Sequence, residues 1–146
     1  MSPNRRVVIV PCSGIGKTFG TVSREAAYTV VEDLRPDTAA LVALSLLVLG
    51  DEEARAAVAE HPTITIDGCR LACATKMVQE SGFTVARSFT VLDAFRKHRD
   101  LKPEGISSLN PEGQKLARVL ADEVAEAVDE LAKVYPDNGG SDADSA

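Results

Sequence analysis

The sequence has no tryptophan, and aromatic residues make up only 4% of its 146 positions. Hydrophobic residues nevertheless reach 45%, so the core must be mainly aliphatic, which is typical of helices packed against a sheet. A chain of this length buries roughly 70% of its unfolded surface on folding and needs no disulfide to be stable. We therefore expect one domain over residues 1–136, followed by a disordered acidic tail over 137–146.

The sequence also lacks a basic surplus and a long apolar segment. The net charge is −6, whereas proteins that bind nucleic acids in general present a basic face. The longest mainly apolar run, residues 41–49, is too short to span a bilayer. The four apolar residues 7–10 are too few for the core of a signal peptide. We expect a cytoplasmic protein that binds neither nucleic acid nor membranes.

Only three cysteines occur, Cys12, Cys69 and Cys73, and an odd number cannot pair completely in disulfides. In a reducing compartment such cysteines are more often metal ligands or reactive thiols than disulfide partners. Free cysteines also occur as inert core residues. Three interpretations therefore stay open: a metal site, thiol chemistry and buried structural cysteines.

Short β-branched runs alternate along the chain with segments of helical periodicity, the pattern of a parallel sheet with right-handed crossovers. The run over 40–49 is rich in Leu and Ala and is compatible with a strand or with a buried helix. We predict a three-layer α/β fold, Rossmann-like or flavodoxin-like, with about four parallel strands, helices on both faces and a long C-terminal helix. The predicted strands cover 7–10, 40–49, 63–66 and part of 83–91, and the predicted helices cover 21–34, 52–60, 71–80, 92–99 and 110–135.

Asn110 and Pro111 mark the start of the longest predicted helix, with Asn as N-cap and Pro at the first helical position. The apolar residues of this helix form one stripe. The stripe either packs across the sheet or forms the seam of a homodimer. It comprises Leu116, Val119, Leu120, Val124, Ala127, Val128, Leu131 and Val134.

The predicted topology brings the three cysteines to one edge of the sheet. Cys12 follows the first strand and Cys69 follows the third, and these two strands are commonly neighbours in a doubly wound sheet. If the next helix begins near Arg70, Cys73 lies on the same side of its first turn as Cys69. Three thiolates with one open position make a chemically reasonable zinc site, and they also suit other thiophilic metals.

A fourth zinc ligand is not evident from the sequence. His61 precedes the third strand and His98 ends a helix, so we expect both at the opposite edge of the sheet, as surface residues. Asp67 is better placed, as a ligand, as a hydrogen-bond acceptor beside the site, or as a helix cap or turn residue.

The glycine-rich segment after the first strand allows other interpretations. Gly16-Lys17-Thr18 resembles the end of a Walker A motif, but Pro11 stands where the first glycine of that motif must turn. A cysteine before such a loop is also similar to cysteine phosphatases and to phosphocysteine subunits of sugar transport systems. Thr18, however, stands where a phosphatase of the C-x5-R type has its arginine. Lys17 and Arg24 either hold an anion or are ordinary surface charges.

Three short motifs occur together in this chain: Pro11-Cys12-Ser13-Gly14 with Gly16 and Gly20, Arg24-Glu25-Ala26-Ala27, and Asp67-Gly68-Cys69 followed by Cys73-Ala74. In this combination the chain resembles the DGC-domain family, small prokaryotic proteins for which zinc binding is predicted. The resemblance covers about residues 6–98 and does not include the C-terminal helix.

The resemblance implies zinc bound by Cys12, Cys69 and Cys73. Members of the family generally carry a fourth cysteine, in the segment where this chain has Ala43 instead. A water, Asp67 or an external ligand would then complete the site, with a role in metal-dependent binding, carriage or sensing. The alternative is a thiol-based redox or phosphocysteine-type enzyme, in which Cys12, activated at a helix N-terminus, is the nucleophile and Cys69 or Cys73 resolves a disulfide.

Overall fold

The computed structural model describes residues 7–12, 17–68 and 71–134. Strands and helices alternate along them, as predicted. The strands are β1 (Val7–Pro11), β2 (Ala39–Leu41), β3 (Thr63–Asp67) and β4 (Arg87–Thr90). The helices are α1 (Thr18–Thr29, continued by a π-helical turn over Val30–Leu34), α2 (Leu44–Leu49), α3 (Glu52–Glu60), α4 (Cys73–Glu80), α5 (Val91–Lys97) and α6 (Pro111–Val134).

The four strands form one parallel sheet in the order β2-β1-β3-β4. This is the order of the first four strands in a flavodoxin-like sheet, so the predicted α/β fold class is confirmed. The register pairs Ile9 of β1 with Leu41 of β2 on one side and with Ile64 of β3 on the other. The strand order therefore reverses between β1 and β3, and their carboxyl ends flank this switch point.

Alternate residues of β1 enter two separate cores, because successive side chains of a strand point to opposite faces. Val7 and Ile9 pack with residues of α1, α5 and α6. Val8 and Val10 pack with residues of α2, α3 and α4. All four side chains are fully buried. Helices on both faces explain why this strand is a continuous apolar run rather than an alternating one.

The apolar run over 40–49 is divided between two elements. Strand β2 ends at Leu41, and α2 begins at Leu44 with Leu44 and Leu47 buried on one side. Gly50 ends this helix with φ of 80°, a left-handed conformation that favours glycine. The second half of the run is therefore the helix that its Leu content allowed, since leucines three residues apart share a helical face.

Helix α1 begins at Thr18 rather than at the predicted Thr21, and it ends in a π-helical turn where the N–H of Arg35 donates to the carbonyl of Val30 at 2.7 Å. Arg35 also ties this turn to α6, because its Nε and Nη2 each donate to one oxygen of Asp129 at 2.7 Å. The hydrogen bonding holds the pKa of Asp129 below its ordinary value and raises the pKa of Arg35. The pair therefore fastens the end of α1 to α6.

Helix α6 begins as predicted, since the side-chain oxygen of Asn110 accepts from the N–H of Gly113 at 2.8 Å. Its apolar stripe packs mainly against α1, α5 and the sheet of the same chain, one of the two predicted uses. The homodimer stays a prediction. The domain boundary near 136 also stays a prediction, because residues 135–146 lie outside the described part. Within the described ranges, no helix is both long and apolar enough to cross a membrane.

Asp129→Asn should lower the free energy of unfolding at neutral pH by at most about 1 kcal/mol, because the pair is partly exposed and surface ion pairs are weak. Pairing with Arg35 lowers the folded-state pKa of Asp129 below its usual 3.8. The stabilisation is therefore present above that pH and is lost as the pH falls through the folded-state pKa. Urea unfolding of both proteins between neutral pH and about pH 3 measures this difference.

The control is Glu126→Gln, which removes a carboxylate from the same helix without breaking a hydrogen bond to Arg35. It should cost less than Asp129→Asn at neutral pH. Equal losses for the two variants at neutral pH, or a difference that does not become smaller toward the acid end, would contradict the role given to the Arg35–Asp129 pair.

Candidate functional site

Cys12 stands directly after β1, at the carboxyl edge of the sheet, as predicted. Its N–H donates to the carbonyl of Ile66 on β3 at 2.8 Å, so the two strands stay paired up to this residue. The thiol is therefore at the switch point, where open α/β sheets bind ligands. Residues 13–16 and 69–70, which include Cys69, lie outside the described part of the chain.

The sulfur of Cys12 is enclosed by its neighbours. The residue is 7% exposed, its Sγ accepts from the N–H of Gly68 at 3.2 Å, and it lies 3.3 Å from Oγ of Ser23. Burial raises the pKa of the Cys12 thiol, and its hydrogen bonds with Ser23 and with the N–H of Gly68 offset this only in part. The charges of Asp67 and Cys73 raise it further. The direction of this shift favours the neutral form of the free Cys12 thiol. Activation of Cys12 at a helix N-terminus stays a prediction, because residues 13–16 lie outside the described part of the chain.

Gly68 lets the loop after β3 approach α1 closely. A Cβ at this position would lie 3.1 Å from the carbonyl carbon of Phe19 and 3.2 Å from the nitrogen of Gly20. These are backbone atoms, which cannot move aside as a flexible side chain can. Glycine at the centre of the Asp67-Gly68-Cys69 motif therefore keeps its own N–H within reach of the Cys12 sulfur.

Asp67 caps α4 from the end of β3. Its carboxylate is buried, with Oδ1 accepting from the N–H of Ala74 at 2.7 Å and Oδ2 accepting from the N–H of Thr75 at 3.3 Å and its hydroxyl at 2.7 Å. Ala72 occupies the N-cap position and has no side-chain acceptor. Of the roles predicted for Asp67, the helix cap is the one that these hydrogen bonds show, and it engages both carboxylate oxygens.

A second hydroxyl extends this network into the sheet. Oγ1 of Thr75 lies 2.6 Å from Oγ1 of Thr65 on β3. Because Thr75 gives its single hydroxyl proton to Asp67, Thr65 must donate to Thr75. Sequence reasoning missed this role, although the alternation in the β3 sequence was a usable signal. The alternation places Thr65 and Asp67 on the sheet face covered by α4, while Ile64 and Ile66 enter the core formed with α1, α5 and α6.

Helix α4 begins at Cys73 and not near Arg70, as the sequence analysis assumed. Ala72, just before it, has a left-handed backbone with φ of 53° and ψ of 49°, which turns the chain ahead of the helix. The helix start near Arg70 on which the predicted alignment rested is therefore wrong. Cys69 lies outside the described residues, so its position relative to Cys73 stays a prediction. Cys73 is exposed at the first helical position.

Among the described residues, which do not include Cys69, no group of three or more His, Cys, Asp or Glu side chains is positioned to bind a metal ion. Cys12 and Cys73 are the described thiols, and the charge of Cys73 is one of the causes that raise the pKa of Cys12. Their sulfur atoms are soft donors of the kind that zinc prefers. His61 stands two residues before the start of β3 and so lies at the opposite edge of the sheet, as predicted, and His98 follows α5.

Of the two basic residues considered as anion ligands, Lys17 precedes α1 and Arg24 lies in the middle of this helix. Lys17 is exposed at the N-cap position, and Arg24 donates from Nη2 to the hydroxyl of Thr21 at 3.2 Å. That hydroxyl donates in turn to the carbonyl of Ile106 at 2.5 Å, so Arg24 belongs to a contact between α1 and the segment before α6. Anion binding stays a prediction, because residues 13–16 are not described.

Asp67→Asn should lower the free energy of unfolding by about 2 kcal/mol. One of the two acceptor oxygens becomes an NH2 group, which is itself a donor and cannot accept from the donors of α4. The control is Asp51→Asn at the start of α3, where the carboxylate accepts a single hydrogen bond from Ala54. Asn is as good an N-cap as Asp there, so this variant should lose only a few tenths of that amount. Urea unfolding of both variants is the measurement, and equal losses would contradict the buried cap.

Ala72→Gly should leave the stability unchanged or raise it slightly, because glycine adopts a left-handed backbone without the roughly 1 kcal/mol penalty of alanine. The matched control is Ala56→Gly on the exposed side of α3, which should cost about 1 kcal/mol through helix propensity. Thermal unfolding of the two variants gives the comparison. A loss at Ala72 as large as that at Ala56 would contradict the left-handed turn.

Comparison with known families supports the resemblance seen in the sequence. Residues 8–119 match the family described as DGC domain. The match includes both cysteine motifs and extends past residue 98, the limit expected from the sequence, into the first part of α6. Comparisons with curated proteins and with solved structures gave no match. Since the match covers most of the chain, this protein belongs to the DGC-domain family.

Proposed function

We propose that this chain binds zinc through Cys12, Cys69 and Cys73 at the carboxyl edge between β1 and β3. The observation that carries the proposal is the setting of Cys12: a buried sulfur at the switch point that accepts a hydrogen bond from the N–H of Gly68. Donors of this kind around a sulfur ligand orient it and tune its affinity for a metal.

Burial of Cys12 favours metal binding over free thiol chemistry. A nucleophilic cysteine works as an exposed thiolate, whereas the pKa of Cys12 is raised by burial. A bound zinc ion supplies a positive charge that holds the sulfur as a thiolate at neutral pH. The N–H of Gly68 then donates to a charged sulfur and stabilises the thiolate.

The remaining ligands come from the segment that follows β3. Cys69 comes directly after Gly68, which contacts Cys12, and Cys73 is exposed at the start of α4. The carboxylate of Asp67 is engaged by α4, so a water or an external ligand is the better candidate for the fourth position. Three sulfur ligands with an exchangeable fourth position suit metal-dependent binding, carriage or sensing.

The cellular setting follows from the same chemistry. Free thiols suit the reducing cytoplasm, and the net charge of −6 disfavours general binding to nucleic acids. If the chain forms a homodimer, the buried residues of α6 are already occupied within the chain, and the seam would use its exposed residues. These assignments complete the proposal for this member of the family.

The untagged protein, purified without chelators, should contain about one zinc per chain by elemental analysis. Cys12→Ser, Cys69→Ser and Cys73→Ser should each lose most of it, because a thiolate ligand is removed. The control variants His61→Ala and His98→Ala remove the only histidines and should keep the metal.

Absence of metal in wild type, with all three thiols titrating freely, would contradict the proposal. Rapid alkylation of Cys12 in that metal-free protein would instead favour the alternative of a thiol-based redox or phosphocysteine-type enzyme. Zinc retained in all three cysteine variants would also contradict it.

A further inference from the structure

Ser23 is a polar side chain at a position where the fold does not require one. It lies inside α1 and is fully buried. The other residues of this helix that are fully buried are apolar: Val22, Ala26 and Ala27. Alanine is a better helix former than serine and is smaller, so packing and helix propensity both favour alanine here. The hydroxyl group itself must therefore account for the serine.

The Ser23 hydroxyl has three acceptors within reach. Its Oγ lies 2.7 Å from the carbonyl oxygen of Gly20, 3.4 Å from the carbonyl oxygen of Cys12 and 3.3 Å from the Cys12 sulfur. A hydroxyl donates one proton, and the shortest contact is that with Gly20. With the proton on Gly20, the serine oxygen is an acceptor for the S–H of Cys12.

This hydrogen bond can reverse when a metal ion takes the place of the Cys12 proton. A thiolate accepts but does not donate, and the N–H of Gly68 already points at it. Rotation of the Ser23 hydrogen about the Cβ–Oγ bond gives the sulfur a second donor. Gly20 loses little, because its carbonyl lies within α1 and accepts from the N–H four residues later.

We propose that Ser23 is a positioning residue of the metal site: its hydroxyl, 3.3 Å from the Cys12 sulfur, donates to that sulfur when the sulfur binds a metal. The inference rests on the proposed function. As the sulfur–metal bond forms, the S–H bond breaks and its proton leaves to solvent. The largely buried sulfur then keeps two protein donors, Ser23 and Gly68.

The test uses Co²⁺ as a spectroscopic probe on the full chain. Ser23→Ala should bind Co²⁺ about tenfold more weakly in a chelator competition, the usual size of effect for a partner of a metal ligand. Its sulfur-to-cobalt charge-transfer band should move to longer wavelength, because a thiolate with fewer hydrogen-bond donors gives up an electron more easily. Thermal unfolding of the metal-free variant should be unchanged or improved, a combination that a purely structural serine would not produce.

Two further variants complete the comparison. Ser88→Ala removes an exposed serine from β4 and should match wild type. Ser23→Thr restores a hydroxyl and should return the band toward its wild-type position.

Unchanged affinity or an unshifted band in Ser23→Ala would overturn the inference and leave the proposed function intact. Failure of Ser23→Ala to fold would also overturn it, since the proposal requires that the fold can do without this hydroxyl. Wild type without a charge-transfer band would overturn the inference and the proposed function together.

Discussion

The buried carboxylate of Asp67 is the constraint on which this edge of the molecule depends. It stands at the end of β3 and engages the first turn of α4 through Ala74 and Thr75. A buried carboxylate without such donors would be strongly unfavourable, so these hydrogen bonds stabilise the approach of β3 and α4. The contact determines where α4 starts, and with it the position of Cys73.

The next residue along the chain connects the same loop to the opposite face of the sheet. Gly68 can lie close to the backbone of α1 because it has no side chain, and its N–H donates to the sulfur of Cys12. Two successive residues thus hold two helices and one thiol at the switch point. This proximity gives Cys12 its burial, its raised pKa and its hydrogen-bond partners, the features on which the proposed role as a metal ligand rests.

Much of the fold could be predicted because its signals are local. The continuous apolar run of β1 indicated a strand covered on both faces, and Asn110 marked the start of α6 through its own side chain. Asp51 likewise capped the helix that follows it. The run over 40–49 was ambiguous, because leucines pack well in a strand or in a helix. In the fold, its first residues pair with β1, whereas Leu44 and Leu47 pack in the same core as α4.

The sequence by itself determined the alternation of elements, the parallel sheet and the presence of Cys12 at a strand end, because residue periodicity reports burial along one segment. Only the tertiary structure decided what surrounds that sulfur. Ser23 is 11 residues from Cys12 in the sequence, and Gly68 is 56 residues from it. Both reach the Cys12 sulfur because α1 packs against the end of β3. The start of α4 was decided in the same way, since its cap comes from Asp67 on another element, and no local pattern reports a contact between elements.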